Sequence, residues 1–124
     1  MPIPAHAVCW TEIPSADIDR AAKFYDAILQ TEMFKEETGP NPVWMFPTDP
    51  PMAGIAGHIY PGKPAGDGSG PTIHFTSPDK LETALERVKA AGGKVLSDPI
   101  QIPPGRFAYC LDLDGNSISI FEAA

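Results

Sequence analysis

The sequence predicts an α+β fold in which paired strand–helix–strand–strand–strand (βαβββ) modules form a curled mixed sheet around a cavity. Three observations carry this expectation. Two amphipathic helix patterns lie a constant distance apart, strand-like runs surround each of them at matching places, and a Gly/Pro-rich stretch separates the two sets at mid-chain.

The first helix pattern places Ile18, Ala21, Ala22, Tyr25, Ile28 and Leu29 on one face, with Ser15 and Asp17 as N-cap candidates. The second does the same with Leu81, Ala84, Leu85, Val88 and Ala91. Ser77 or Asp79 stands in front of it and Gly92-Gly93 behind as a stop. An offset of 63 residues superposes the two patterns, Ile18 on Leu81 and Tyr25 on Val88. Carried outward, the same offset pairs Trp10 with Ile73, Trp44 with Phe107, Phe46 with Tyr109 and Ile55 with Ile118, so the chain reads as a duplicated unit.

Strands are expected at 7–13, 31–35, 43–46 and 53–59 in the first half, and at 72–76, 94–97, 107–112 and 117–121 in the second. Asp114-Gly115-Asn116 is a hairpin turn signal. Residues 61–71 carry no large apolar side chain and read as an exposed connector. The reading is one domain, 1–124, made of modules at about 5–60 and 71–123. Eight strands with only two helices to cover them leave one sheet face to curl around something, and that face is a natural ligand cavity.

At 124 residues the chain buries enough surface for a pocket without metal or disulfide staples. A formal charge of -7 repels phosphate backbones and anionic headgroups, so nucleic acid and membrane surfaces are not expected partners. The start Met1-Pro2-Ile3-Pro4-Ala5 has no signal-peptide pattern, and no run of about 18 apolar residues occurs. A cytoplasmic location with reduced thiols is the expectation. Cys9 and Cys110 lack a second thiol or histidine at zinc-finger spacing and a neighbouring base, which argues against a structural zinc and against a cysteine nucleophile. Cys9 is expected to face the helices as a small hydrophobe.

The opening Trp10-Thr11-Glu12-Ile13-Pro14, the run from Asp17 to Tyr25, and the closing Ala90-Ala91-Gly92-Gly93-Lys94-Val95 and Asp112-Leu113-Asp114-Gly115-Asn116 resemble the vicinal oxygen chelate superfamily. That superfamily holds glyoxalase I, bleomycin-resistance proteins and extradiol dioxygenases. The resemblance covers nearly the whole chain. It implies the glyoxalase/bleomycin resistance/dioxygenase fold, assembly as a homodimer, and in enzyme members a divalent metal held by one His or Glu from the first and last strand of each module. Here those slots fall on Trp10, Ala56, Ile73 and Ser119, and none offers a carboxylate or imidazole. No cofactor is therefore assigned, and a divalent metal is the minority reading.

Strand alternation puts Glu12 on the face of the Trp10 slot and His58 on that of the Ala56 slot, so this pair is the candidate general base and acid. Trp10, Phe75 and Ser119 are the candidate substrate contacts. His74 and Glu122 would complete a two-His, two-Glu set with Glu12 and His58. Alternation turns both away from the cavity unless a bulge shifts the register. The remaining aromatics read as core, and Arg106, on a Pro-Pro-Gly loop, as a solvated side chain or an anion contact at the pocket mouth. The function expected is a small-molecule protein without the usual metal, either binding its ligand or moving a proton with Glu12. The alternatives are a metal-dependent lyase or isomerase related to lactoylglutathione lyase, using Glu12, His58, His74 and Glu122, and a drug-sequestering, bleomycin-resistance-like protein.

Overall fold

The computed structural model describes residues 2–51 and 53–124. Among them the first half forms β1 (Trp10–Ser15), α1 (Ile18–Leu29), β2 (Phe34–Glu36), β3 (Val43–Met45) and β4 (Ala56–Pro61). The second forms β5 (Ile73–Thr76), α2 (Leu81–Ala90), β6 (Lys94–Val95), β7 (Ile100–Ile102), β8 (Gly105–Leu111) and β9 (Ser117–Ala123). The fold is α+β with two mixed sheets, ordered β1-β4-β3-β2 and β5-β9-β8-β6, the short β7 pairing with the start of β8. The expected α+β class and helices are present. The second half carries one strand more than expected, because residues 100–102 fold back antiparallel onto Gly105–Phe107.

Local sequence explains most of these limits. Asp17 caps α1 by accepting the Arg20 N–H, and the apolar stripe Ala21, Ala22, Phe24, Tyr25 and Ile28 is buried. Pro14 sits within β1 because β1 is an edge strand, pairing only with β4, and one of its sides needs no N–H donor. The cap of α2 differs from expectation. Neither Ser77 nor Asp79 holds it; Glu122, from β9, accepts the Leu81 N–H at 3.1 Å, while Asp79 pairs with Arg87. A carboxylate borrowed from the sheet thus meets the positive end of the helix. Both helices and one face of each sheet share a single apolar core that includes Tyr25, Ile28, Ile59, Leu81, Val88, Ile118 and Ile120.

The constant offset of 63 survives in the helices and fails in the strands. In β1, Ile13 and Ser15 are buried against the helices and Trp10 and Glu12 face the other way, onto what is called the open face below. In β5 it is Ile73 and Phe75 that pack on the core, while His74 is exposed. Trp10 and Ile73 therefore lie on opposite faces, as do Trp44, packed on the core, and Phe107, stacked edge-on against His74 at 5.1 Å. Ser15, the last core-facing residue of β1, stands three residues before the first of α1, whereas Phe75, its counterpart in β5, stands six before the first of α2, an odd difference. Because strand side chains alternate with period two, any odd slip in such a junction inverts the face of the whole strand.

The two halves are fastened at Asp112. The Tyr25 hydroxyl, wholly buried, donates to Asp112 Oδ2 at 2.6 Å. Asp112 Oδ1 accepts the N–H groups of Asp114 and Asn116, each at 2.9 Å, and so shapes the turn into β9. Asn116 Nδ2 donates in turn to the Pro14 carbonyl at 2.9 Å, and Asp114 accepts the Ala16 N–H at 3.0 Å. The connector docks here as well. Gly68 N–H donates to the Gly115 carbonyl at 2.8 Å, and Gly115, at φ +78°, lies so close to the Gly66 backbone that a Cβ would collide with it. A second polar tie joins α2 to its sheet, where Arg106 binds Glu82 and Glu122 together. Arg106 is thus engaged and does not serve as the free anion contact entertained from sequence.

Two outcomes at opposite ends of the pH scale test these ties. Burial, and then the Asp112 carboxylate, push the Tyr25 phenol well above its ordinary value near 10. Above about pH 10 the unfolded chain sheds a proton that the folded chain keeps, so stability falls as pH rises. Tyr25→Phe should cost about 1–3 kcal/mol in neutral urea unfolding and abolish that alkaline decline. Hydrogen bonds from Arg106 hold the Glu82 carboxyl at about 2 rather than 4.5. Its contribution is present above the usual carboxylate range and is lost as pH falls toward 2. Arg106→Met should flatten that part of the acid-unfolding profile.

Candidate functional site

The parallel register of β1 on β4 sets side chains in rows across the open face: Trp10 beside Ala56, Glu12 beside His58, Pro14 beside Tyr60. Gly57 permits this approach, since a Cβ there would strike the Thr11 carbonyl. Within the rows, His58 Nε2 lies 3.3 Å from Glu12 Oε2 and the Trp10 indole N–H donates to His58 Nδ1 at 3.0 Å. Tyr60 meets the imidazole edge-on from the other side at 6.3 Å. The Glu12 side chain remains 64% exposed and that of His58 19%, so the imidazole is sheltered and the carboxylate reaches solvent.

Three hollows border this row. An apolar one of about 440 Å³ is bounded by Trp10, Phe34, Met45, Pro47 and Ala56. A cleft of about 740 Å³ runs between β1 and β5, from Glu12 to Thr72 and His74. A smaller one of about 290 Å³ is shared by Glu12, His58, Glu36 and Tyr60. Among the described residues no lysine or arginine lines any of the three. The arrangement can hold an apolar group against the indole and present a carboxylate with a hydrogen-bonded imidazole to whatever lies beside it.

The other candidates are placed differently. Phe75 does not share Trp10's face. Its ring packs 5.3 Å from both Tyr25 and Phe46, because β5 has the inverted parity described above. For the same reason His74, expected to turn away, lies on the open face with Phe107 and Tyr109. Ser119 is the register partner of both His74 and Tyr109. It is fully buried, and among the described residues its Oγ has no hydrogen-bond partner. Glu122 faces the helix side, committed to Leu81 and Arg106. Cys9 precedes β1 and is exposed rather than packed under the helices, and desolvation raises the buried Cys110 thiol to about 11, which keeps it protonated.

This donor set does not fit the divalent metal that the resemblance implies for enzyme members. Trp10 and Ala56 bring no suitable lone pair, Glu122 is used elsewhere, and among the described residues no three His, Cys, Asp or Glu side chains converge. Sequence alternation found the Glu12–His58 row. It missed the Trp10–His58 hydrogen bond, whose partners stand 48 residues apart and meet only through the parallel register.

The fold recurs in known proteins. A structure from Albidiferax ferrireducens described as a glyoxalase/bleomycin resistance protein superposes with a TM-score of 0.74 at 22% identity, covering 96% of this chain and 100% of that one. The fosfomycin resistance protein FosX of Listeria monocytogenes gives 0.70 at 17% identity, covering 98% and 96%. CFP32 of Mycobacterium tuberculosis, a glyoxylase by name, is 29% identical over 126 residues. That match takes in 93% of this chain, which spans 43% of the relative's length. The family profile of the Glyoxalase/Bleomycin resistance protein/Dioxygenase superfamily matches residues 5–120, and the chain belongs to that superfamily.

Proposed function

We propose that the protein binds an uncharged or cationic small molecule on the open face of its first sheet and moves a proton with Glu12. The observation that carries this reading is the Glu12–His58 contact at 3.3 Å beside an apolar hollow of about 440 Å³. Glu12, ionised, takes a proton from carbon adjacent to a carbonyl of the bound molecule. The C–H electron pair passes into an enolate, and the proton, now on Glu12, returns to the same carbon, or, where that carbon bears a hydroxyl, to the former carbonyl carbon as the hydroxyl's proton moves to the former carbonyl oxygen. His58 donates to the carboxylate and holds it in place. Apolar walls give the substrate's hydrocarbon part a seat and exclude water from one side of the reacting carbon.

The reading is tested with the hemithioacetal of phenylglyoxal and mercaptoethanol, an uncharged probe with an apolar ring. In deuterium oxide the wild type should accelerate exchange of its carbon-bound proton, followed by NMR, and Glu12→Gln should lower that rate by about 10²–10⁴. Equal rates for the two proteins, or no acceleration by either, would remove Glu12 as a base.

A second reading, sequestration of a cationic drug, is favoured by one observation. The described residues lining the hollows include Glu12 and Glu36 but no lysine or arginine, in a chain of formal charge -7. Equilibrium dialysis should then show retention of bleomycin that weakens at high salt and in Glu12→Gln. Retention unaffected by either change would leave the open face out of the binding.

A further inference from the structure

We propose that Trp10 excludes divalent metal from the Glu12–His58 row by fixing the tautomer of His58. An indole nitrogen donates a hydrogen bond and never accepts one. With Trp10 Nε1 3.0 Å from His58 Nδ1, the lone pair of Nδ1 must face the indole N–H. A neutral imidazole has one N–H, so the proton sits on Nε2, the nitrogen directed at Glu12 Oε2 3.3 Å away. Both ring nitrogens are then committed, one as acceptor from Trp10 and the other as donor to Glu12.

Metal binding needs a bare ring nitrogen. Exposing the Nε2 lone pair beside Glu12, where imidazole and carboxylate could share an ion, would move the proton to Nδ1 and set it against the indole N–H. Nδ1 itself is occupied by the indole N–H at 3.0 Å, with the two ring centroids 5.8 Å apart. The indole therefore acts through His58. In metal-ligating histidines the second nitrogen commonly donates to a carboxylate or carbonyl, which leaves the first bare. Trp10 supplies a donor at that second position and reverses the polarity of the pair. Trp10 is thus a positioning residue that reserves the row for proton transfer and keeps Nε2–H as the hydrogen bond steadying the Glu12 carboxylate.

This inference rests on the open-face row as the functional site, yet it is read without turnover. Long-range proton–nitrogen NMR of histidine-labelled protein at about pH 8, above the ordinary histidine range, should report the Nε2–H form for His58. In Trp10→Phe, where only the Glu12 carboxylate still favours the proton on Nε2, the Nδ1–H form should be more populated than in wild type. Titration with cobalt(II) should then show affinity about tenfold or more higher in Trp10→Phe than in wild type, and the gain should vanish when Glu12→Gln is added. A wild-type His58 in the Nδ1–H form, or equal cobalt affinity in wild type and Trp10→Phe, overturns the proposal. Loss of the proton-transfer reading would leave both results untouched, and their failure would leave the exchange rates untouched, so the two stand or fall separately.

Discussion

The buried hydrogen bond between the Tyr25 phenol and Asp112 organises the rest of the molecule. Tyr25 belongs to the helix over the first sheet and Asp112 to the turn leading into the last strand of the second, so this 2.6 Å contact ties the halves together at the centre of a shared network. A carboxylate this enclosed has to be surrounded by donors, and it is: the phenol, two backbone N–H groups and the Asn116 amide. The same Asn116 amide grips the Pro14 carbonyl. Since Pro14 follows Glu12 by two residues on β1, the network that joins the halves also anchors the strand carrying the carboxylate of the candidate site.

Charge is distributed with a similar economy. Several basic side chains are tied down by local acids, Arg106 by Glu82 and Glu122, Arg87 by Asp79, and Lys35 by Asp19 and Glu37. None of them reaches the hollows around Trp10. Glu12 consequently has His58 as its partner and, among the described residues that line the same hollows, no lysine or arginine to hold it in an ion pair. A carboxylate so placed remains available to a ligand.

Much of this was legible in the sequence, and the remainder was hidden for one physical reason. A helix announces itself through a repeat of about 3.6 residues that tolerates small errors of phase, and both helices stand where Ile18 to Leu29 and Leu81 to Ala91 place them. Strands alternate with period two, so a count wrong by one reverses every side chain on them. Within the first half the count ran correctly from Trp10 to Glu12 and from Ala56 to His58, and those rows assemble. Extending it to the second half through a constant offset crossed junctions of unequal length, and Ile73, Phe75 and His74 came out on the wrong faces. Contacts that depend on register between distant strands, such as the indole on His58, leave no local trace at all.

The close seat of Gly66 against Gly115 bears on how such a chain could share parts with another copy of itself. A linker free to swing would let one half leave its own mate and take up the same place in a neighbour, the exchange known as domain swapping. Here the Gly68–Gly115 hydrogen bond and the glycine contact pin that linker to the very turn that Asp112 shapes. Trading halves would first require peeling this seam apart, so any such exchange would have to break the Gly68–Gly115 hydrogen bond before the halves could move.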